Sequence, residues 1–112
     1  MFDCVLPTRV ARNGTAYTPD GPIHLKNAQW EKCREPLAPP GATHPLCEGF
    51  SLGYLRHLVK SDEILGLRLL TLHNLAFYLD LMKQARRAIE DGSFADFREA
   101  FVRRYRAGKP DA

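Results

Sequence analysis

The sequence contains no apolar run of about 18 residues, the length that a helix needs to cross a bilayer, so no membrane span is predicted. Its first residues carry no basic segment followed by a long apolar one, so a secretory signal peptide is not predicted either. Only three cysteines are present, an odd number that does not suit a disulfide framework. A cytoplasmic location is therefore the default expectation, and the thiols are candidates for burial, a catalytic site or metal binding.

Excess charge is also small, with 16 Lys+Arg against 13 Asp+Glu and a formal net charge of +3. That balance does not by itself indicate a nucleic-acid-binding protein. The 45% hydrophobic and 26% charged content is ordinary for a globular chain, and 112 residues allow one modest domain with one core. Composition thus argues against a disordered chain and names no function.

Strand signals are confined to the first part of the chain. Residues 1–6 form a short apolar run that stops at a proline, which is typical of a buried strand. Residues 8–14 are polar and end in Asn-Gly, which predicts a turn. Residues 15–18 and 22–26 flank a Pro-Asp-Gly sequence, and this pattern predicts a small hairpin.

A proline-rich loop and then helices follow. Residues 35–45 hold four prolines, which forbid regular structure, and a loop of this length needs an organising agent such as a metal. Residues 51–60 predict a short amphipathic helix, and residues 63–90 a long one that is interrupted near Gly66. Apolar residues recur at helical spacing along the long helix: Leu75, Leu79, Met82, Ala85 and Ile89. The last helix carries an aromatic stripe that we expect to be core: Phe94, Phe97, Phe101 and Tyr105.

Two groups of residues are candidates for chemistry. Asp3 interrupts the first apolar run, and a buried carboxylate is costly unless it is paired or functional, although a surface position on an edge strand would also explain it. Soft ligands form the second group, with a His-x-x-Cys pair at His44 and Cys47, a distant helical His73, and Cys33 upstream. Such a set can hold tetrahedral zinc, but two other histidines compete and His73 can equally be a buried histidine without a metal.

Several short motifs, in one order, carry a resemblance to a known family. The sequence resembles the bacterial-type tRNA-guanine transglycosylases at MFDCVLPTR (1–9), ARNG (11–14), GPIHLKNA (21–28), YLRHL (54–58), EILG (63–66) and TLHNL (71–75). The resemblance runs over nearly the whole chain, and the motifs are independent of one another. It is therefore far more specific than a single short pattern.

The resemblance implies an α/β fold, the (β/α)8 TIM barrel, with a zinc-binding insert after the eighth strand. This chain would be the C-terminal part, mostly α with one barrel strand and a small β hairpin. Residues 1–14 would hold the last barrel strand and a catalytic and tRNA-binding loop, residues 15–74 the zinc-binding insert, and residues 75–112 the last barrel helix and a C-terminal helix. Asp3 would then lie at the C-terminal end of its strand, where barrel enzymes place catalytic groups.

The implied reaction is base exchange in queuosine biosynthesis, in which guanine at the wobble position of a tRNA with a GUN anticodon is replaced by a 7-deazaguanine. Asp3 would be the covalent nucleophile, in the manner of a retaining glycosidase. Arg9 and Arg12 would contact the tRNA. The second carboxylate belongs to the upstream barrel, so the chain alone is expected to be inactive.

The resemblance also implies one structural zinc per subunit and a homodimer. The family's insert has the pattern Cys-x-Cys-x-x-Cys followed by a distant His, and here Cys47 and His73 match its last two ligands. His44 stands at the middle cysteine and is itself a zinc ligand type, whereas Ala42 stands at the first and is not. Cys33 is a candidate for the fourth ligand. The dimer contacts would involve three residues of the short helix region: Phe50, Tyr54 and His57.

A second hypothesis is a non-catalytic remnant of a truncated gene, a metal-binding piece used for dimerisation or tRNA docking. The sequence does not say which base the family member inserts, because the pocket residues that select it lie upstream.

Overall fold

The structure is a computed structural model that describes residues 4–36, 47 and 49–107. It is mostly helical, with one two-stranded sheet among the described residues. In chain order the elements are α1 (Leu6–Arg12), β1 (Thr15–Thr18), β2 (Gly21–His24), a 3₁₀ turn (Ala28–Trp30), α2 (Leu52–Lys60), α3 (Ile64–Glu90) and α4 (Phe94–Ala107).

The first helix is the main difference from the sequence-based prediction. A strand up to residue 6 and a polar turn over residues 8–14 are predicted, but Leu6–Arg12 is helical, and Cys4 and Val5 lie in no strand. Pro7 stands in the first helical turn, where its fixed φ suits a helix and its missing N–H is not needed. The helix buries Pro7 and Ala11 and packs against α3. Because an isolated helix of this length is marginal in water, that packing decides its conformation.

The predicted hairpin is confirmed. β1 and β2 pair antiparallel, with Thr18 opposite Gly21 at the closed end. Gly21 has a φ of 103°, a left-handed conformation that side chains disfavour. The Thr18 hydroxyl donates to the Gly21 carbonyl at 2.6 Å, which satisfies a buried hydroxyl and closes the turn. Local turn chemistry therefore explains where the hairpin lies.

The hydrophobic core lies between the hairpin, α2 and the first half of α3. The amphipathic prediction for α2 is confirmed, because its buried residues share one side of the helix: Leu52, Leu55, Leu58 and Val59. Ser51 caps this helix by accepting a hydrogen bond from the Tyr54 amide at 3.1 Å. The hairpin contributes Ala16, Ile23 and Leu25 to the same core.

α3 is continuous through Gly66, where the sequence predicts an interruption. A Cβ atom at this position would lie 2.8 Å from Cβ of Leu58, so the glycine allows α2 and α3 to approach closely. The domain boundary predicted at residue 74 also falls inside this helix.

By length and composition alone α3 could cross a membrane, but the core helix of a soluble protein passes the same test.

The second half of α3 and all of α4 lie outside this core. The aromatic stripe of α4 was predicted to be core, but no residue of α4 is buried. Its rings instead pack on one another and on α3, with Phe101 at 6.4 Å from Phe77 and 5.8 Å from Tyr105 between ring centroids. The prediction was wrong because the contacts of α4 with α3 and the hairpin leave each ring of the stripe partly open to solvent.

Candidate functional site

Two of the predicted site residues, Asp3 and His44, lie outside the described residues. Arg9 and Arg12 lie in the last turn of α1, and both side chains are exposed. The predicted tRNA-binding arginines therefore stand on a short helix rather than in a loop, three positions apart on nearly the same side.

Asn74 of α3 is fully buried and joins three backbone positions that lie far from it in sequence. Its Nδ2 donates to the carbonyl oxygens of Pro7 and Thr15, each at 3.0 Å. Its Oδ1 accepts from the Tyr17 amide, also at 3.0 Å. Because the partners are two carbonyl groups and one N–H, they fix which end of the amide is which. One side chain thus fastens α1 and β1 to α3.

The neighbouring residue, His73, is also buried and binds the same strand. Its Nε2 lies 2.7 Å from the Tyr17 carbonyl oxygen. A carbonyl only accepts, so Nε2 carries the proton and Nδ1 carries the lone pair that a metal would use. Burial lowers the pKa of His73, an effect that its hydrogen bond to Tyr17 partly opposes. The environment therefore favours the neutral imidazole, which is the form that binds metals.

Cys47 is buried against the same part of α3. Its Sγ donates to the Leu69 carbonyl oxygen at 3.1 Å. Leu69 precedes His73 by one helical turn, and side chains of an α-helix lean toward its N-terminus. The thiol and the imidazole thus meet the same stretch of helix. A cysteine thiolate and a neutral imidazole are both ligands that zinc prefers, so Cys47 would bind zinc only after losing the proton that it donates to Leu69.

Within residues 4–36, 47 and 49–107, no group of three or more His, Cys, Asp or Glu side chains could hold a metal ion. Cys33, Cys47 and His73 therefore do not form a ligand set by themselves. Cys33 lies against the first turn of α2, where its carbonyl oxygen accepts from the Gly53 amide at 2.9 Å. An antiparallel bridge joins Pro36 to Ser51, so the two sides of the proline-rich loop meet. A zinc site at Cys47 and His73 would therefore need at least one ligand from that loop.

The predicted dimer residues form a row on the exposed side of α2. The rings of Phe50 and Tyr54 are stacked with centroids 5.6 Å apart, and His57 follows at 6.5 Å from Tyr54. Tyr54 and His57 are exposed and Phe50 is half-buried. The opposite side of α2 fills the core, and the part of the chain that the structure describes leaves Tyr54 and His57 of this row exposed.

Comparison with known proteins gives the family. A sequence model described as "Queuine tRNA-ribosyltransferase" matches residues 1–107. The chain belongs to this family. The resemblance seen in the motifs is thereby confirmed, and the matched range includes Asp3, Arg9 and Arg12 as well as both ends of the cysteine and histidine set.

Individual members of the queuine tRNA-ribosyltransferase family are nearly 50% identical to the chain in sequence. The protein of that name from Bacillus velezensis is 48% identical over 112 residues, which are 100% of this chain and 29% of that protein. Those from Symbiobacterium thermophilum and Bacillus subtilis are each 47% identical, over 99% and 100% of this chain and 28% and 29% of their own lengths. The chain thus spans less than a third of its curated relatives and corresponds to a C-terminal part of them.

Asn74 lies in TLHNL (71–75), one of the motifs that carry the resemblance, but no role is predicted for it from the sequence. A signal was present, because an asparagine beside a histidine in an otherwise apolar helical segment must find buried hydrogen-bond partners. The identity of those partners, which lie 57 to 67 positions away, was not visible from the sequence.

Proposed function

We propose that this chain is the part of a tRNA-guanine transglycosylase that carries the covalent nucleophile, two tRNA-contacting arginines and the zinc-binding insert. The enzyme would exchange guanine for a 7-deazaguanine at the wobble position of a tRNA with a GUN anticodon, in the cytoplasm. The observation that carries this proposal is the family match over residues 1–107, which includes every residue to which we assign a role.

The chemistry assigned to Asp3 follows that of a retaining glycosidase. The ionised carboxylate attacks the ribose C1′ as the bond from C1′ to guanine breaks, so that guanine leaves and a covalent ribosyl-enzyme forms. The incoming base then attacks the same carbon, forms the new glycosidic bond and releases the carboxylate. The proton exchanges on the two bases need a second carboxylate, which we assign to the part of the barrel that precedes this chain.

The tRNA role of Arg9 and Arg12 is supported by their position. Both are exposed on the last turn of α1, a few residues after the proposed nucleophile. Guanidinium groups bind phosphates and exposed base edges with paired donors, and unpaired loop nucleotides offer both. An anticodon loop that meets α1 would therefore reach Asp3 as well.

The rest of the active site would come from the (β/α)8 barrel that the resemblance implies. α3 supports this by its exposed apolar residues, which share one face: Leu75, Leu79 and Met82. A large apolar patch on a protein surface usually marks a contact surface. We propose that the barrel covers this face, and that the chain alone is inactive because the base pocket and the second carboxylate lie in the barrel.

The activity test uses a chimera in which this chain replaces the corresponding C-terminal part of the Bacillus subtilis relative. We expect radiolabelled guanine exchange into tRNA by the chimera and none by the 112-residue chain. Asp3→Asn should abolish both exchange and covalent trapping of tRNA. Asp62→Asn is the matched control, because Asp62 is exposed and its φ of 56° suits asparagine equally well. Turnover by the isolated chain, or trapping that survives Asp3→Asn, would contradict the proposal.

We further propose that Cys47 and His73 hold a structural zinc together with His44 and one more ligand, for which Cys33 is the candidate. Zinc bound there would join the proline-rich loop to α3. The position of Cys47 against Leu69, one helical turn before His73, and the hydrogen bond from Nε2 of His73, which puts the lone pair on Nδ1, support this assignment. Cys47 would bind the zinc as its thiolate.

Metal analysis of the purified chain tests the zinc proposal. We expect about one zinc per chain, and its loss in Cys47→Ser and His73→Gln, because each change removes a ligand of a four-coordinate site. Cys4→Ser is the matched control, since Cys4 is an exposed free cysteine. Loss of zinc in Cys33→Ser would identify the fourth ligand. A metal-free chain, or full zinc content in Cys47→Ser, would exclude the site.

We propose that the row of Phe50, Tyr54 and His57 is a homodimer contact in the complete protein. Aromatic side chains are enriched at the centres of protein–protein interfaces. Tyr54→Ala in the chimera should shift the molecular mass toward the monomer in sedimentation equilibrium, whereas Lys60→Ala, an exposed change at the end of the same helix, should not. A dimer unaffected by Tyr54→Ala would place the interface elsewhere.

The alternative function is a non-catalytic module for metal-dependent dimerisation or tRNA docking. It shares the zinc and dimer predictions, so the guanine exchange of the chimera separates the two functions. A chimera that binds tRNA but exchanges no base would favour the alternative.

A further inference from the structure

We infer that Asn74 is a positioning residue that fixes the start of α1 on α3 and so determines where Arg9 and Arg12 are presented. The part about the two arginines rests on the proposed function. The structural part does not, because it follows from the bonds of Asn74 to Pro7, Thr15 and Tyr17.

The bond from Asn74 matters for the orientation of α1 because the other contacts of this helix with α3 are mainly apolar and do not depend strongly on direction. The helix has seven residues, and its N-cap Val5 supplies no side-chain hydrogen bond. Its buried residues, Pro7 and Ala11, make apolar contacts that tolerate sliding and rotation. A hydrogen bond weakens steeply when its distance or angle changes. Rotation of α1 about its axis would redirect Arg9 and Arg12, and it would also break the bond between Asn74 and Pro7.

The donor and acceptor pattern of Asn74 gives the inference a specific test. An ionised aspartate at this position has the same shape and keeps an acceptor for the Tyr17 amide, but it has no donor for the carbonyl oxygens of Pro7 and Thr15. Leucine has a similar volume and keeps none of the three bonds. Both variants therefore lose the hydrogen bond that holds α1, but only the leucine variant also loses the bond to the Tyr17 amide.

Amide hydrogen exchange of the 112-residue chain, monitored by NMR, measures which of these hydrogen bonds each variant loses. In both Asn74→Asp and Asn74→Leu we expect the α1 amides of residues 9–12 to exchange faster by on the order of tenfold, since a buried carbonyl loses its partner. The Tyr17 amide should stay protected in Asn74→Asp and lose protection in Asn74→Leu. The α2 amides should keep their protection in both variants.

Asn27→Asp is the matched control, because Asn27 is an exposed asparagine and its side chain caps no helix. It should leave all exchange rates unchanged. If α1, α2 and α3 lose protection in parallel, Asn74 contributes only general stability and the inference is overturned. It is also overturned if α1 keeps its protection. Asn74→Ser replaces a variant that does not fold, and we expect α1 to lose protection in it as well.

The chimera connects α1 to the reaction. If Asn74 positions the arginines that bind tRNA, Asn74→Asp should raise KM for tRNA by on the order of tenfold and lower kcat much less, as expected for lost uniform binding. A lower kcat with unchanged KM would contradict this role. If the chimera with Asn74 exchanges no guanine, the proposed function fails while hydrogen exchange still decides the structural part.

Discussion

The two halves of α3 differ in what they bury. In the first half, Leu70 and Asn74 are 0% exposed and lie under the hairpin and α2. In the second half, Leu79 is 71% exposed and Met82 is 45% exposed, although the residues are just as apolar. One helix therefore serves two surfaces. Its first half belongs to a core that this chain builds itself, and its second half carries an apolar face that the described part of the chain leaves open.

The difference shows that exposed apolar residues on one half of a helix can indicate a contact with a further part of a longer protein. Helical periodicity alone marks both halves as core-facing. Burial separates them, because five of the six buried residues of α3 lie within residues 66–74 and only Ala88 lies in the second half. The relatives are more than three times as long as this chain, which is why we propose that a further part of such a protein covers the second half.

The largest expected effect compares two leucines of α3. Leu70→Ala should lower the free energy of unfolding by about 2–5 kcal/mol, because it opens a cavity in the core. Leu79→Ala should change it by less than about 0.5 kcal/mol, because the side chain is already in water. Urea unfolding followed by Trp30 fluorescence measures both. Equal effects of the two changes would mean that the halves do not differ; Leu70→Val serves if Leu70→Ala does not fold.

A smaller effect is expected at the helix crossing. Gly66→Ala should destabilise the chain by about 1–3 kcal/mol, because the new Cβ would be 2.8 Å from Leu58 and would force α2 and α3 apart. Higher intrinsic helix propensity of alanine would offset at most about 1 kcal/mol. The same urea titration measures it. A more stable Gly66→Ala variant would show that the two helices are not in close contact.

In the C-terminal region, Phe101→Ala should cost about 1–2 kcal/mol, because the ring packs on Phe77, Phe97 and Tyr105 but is only half-buried. The loss should be local, with faster amide exchange in α4 and little change in α2. Phe94→Ala is the control, since Phe94 is exposed and packs on Phe97 near the beginning of the same helix. Equal losses in α2 and α4 would mean that the two regions unfold together.

The smallest effect concerns the ion pair that joins α4 to the hairpin turn. Arg104 donates from Nε to Asp20 at 2.7 Å, and this carboxylate raises the pKa of Arg104. The side chains are 63% and 27% exposed, so Arg104→Ala should cost no more than about 1 kcal/mol and less at high salt. Arg103→Ala, which removes a pair within α4, is the control. A salt-independent loss of several kcal/mol would contradict a surface ion pair.

Sequence reasoning succeeded where the local pattern decides the structure. The hairpin follows from its turn residues, and α2 follows from its apolar periodicity and Ser51. The prediction for residues 8–14 was wrong because tertiary contacts decide their conformation. These residues are polar and resemble a loop in sequence, but Asn74 and the packing surface of α3 stabilise α1. Gly66 was read as a break, since a sequence does not show that another helix needs the space. The predicted zinc ligands stay a prediction, because Cys47 contacts α3 at Leu69, one helical turn before His73, but His44 lies outside the described residues.

Hydrogen exchange along α3 tests most directly whether its two halves belong to different surfaces. In the 112-residue chain we expect residues 66–74 to exchange slowly and residues 75–90 quickly. In the chimera with the Bacillus subtilis relative, residues 75–90 should become as protected as residues 66–74, because the barrel would cover Leu75, Leu79 and Met82. Equal protection of both halves in the isolated chain, or an unchanged second half in the chimera, would contradict the account.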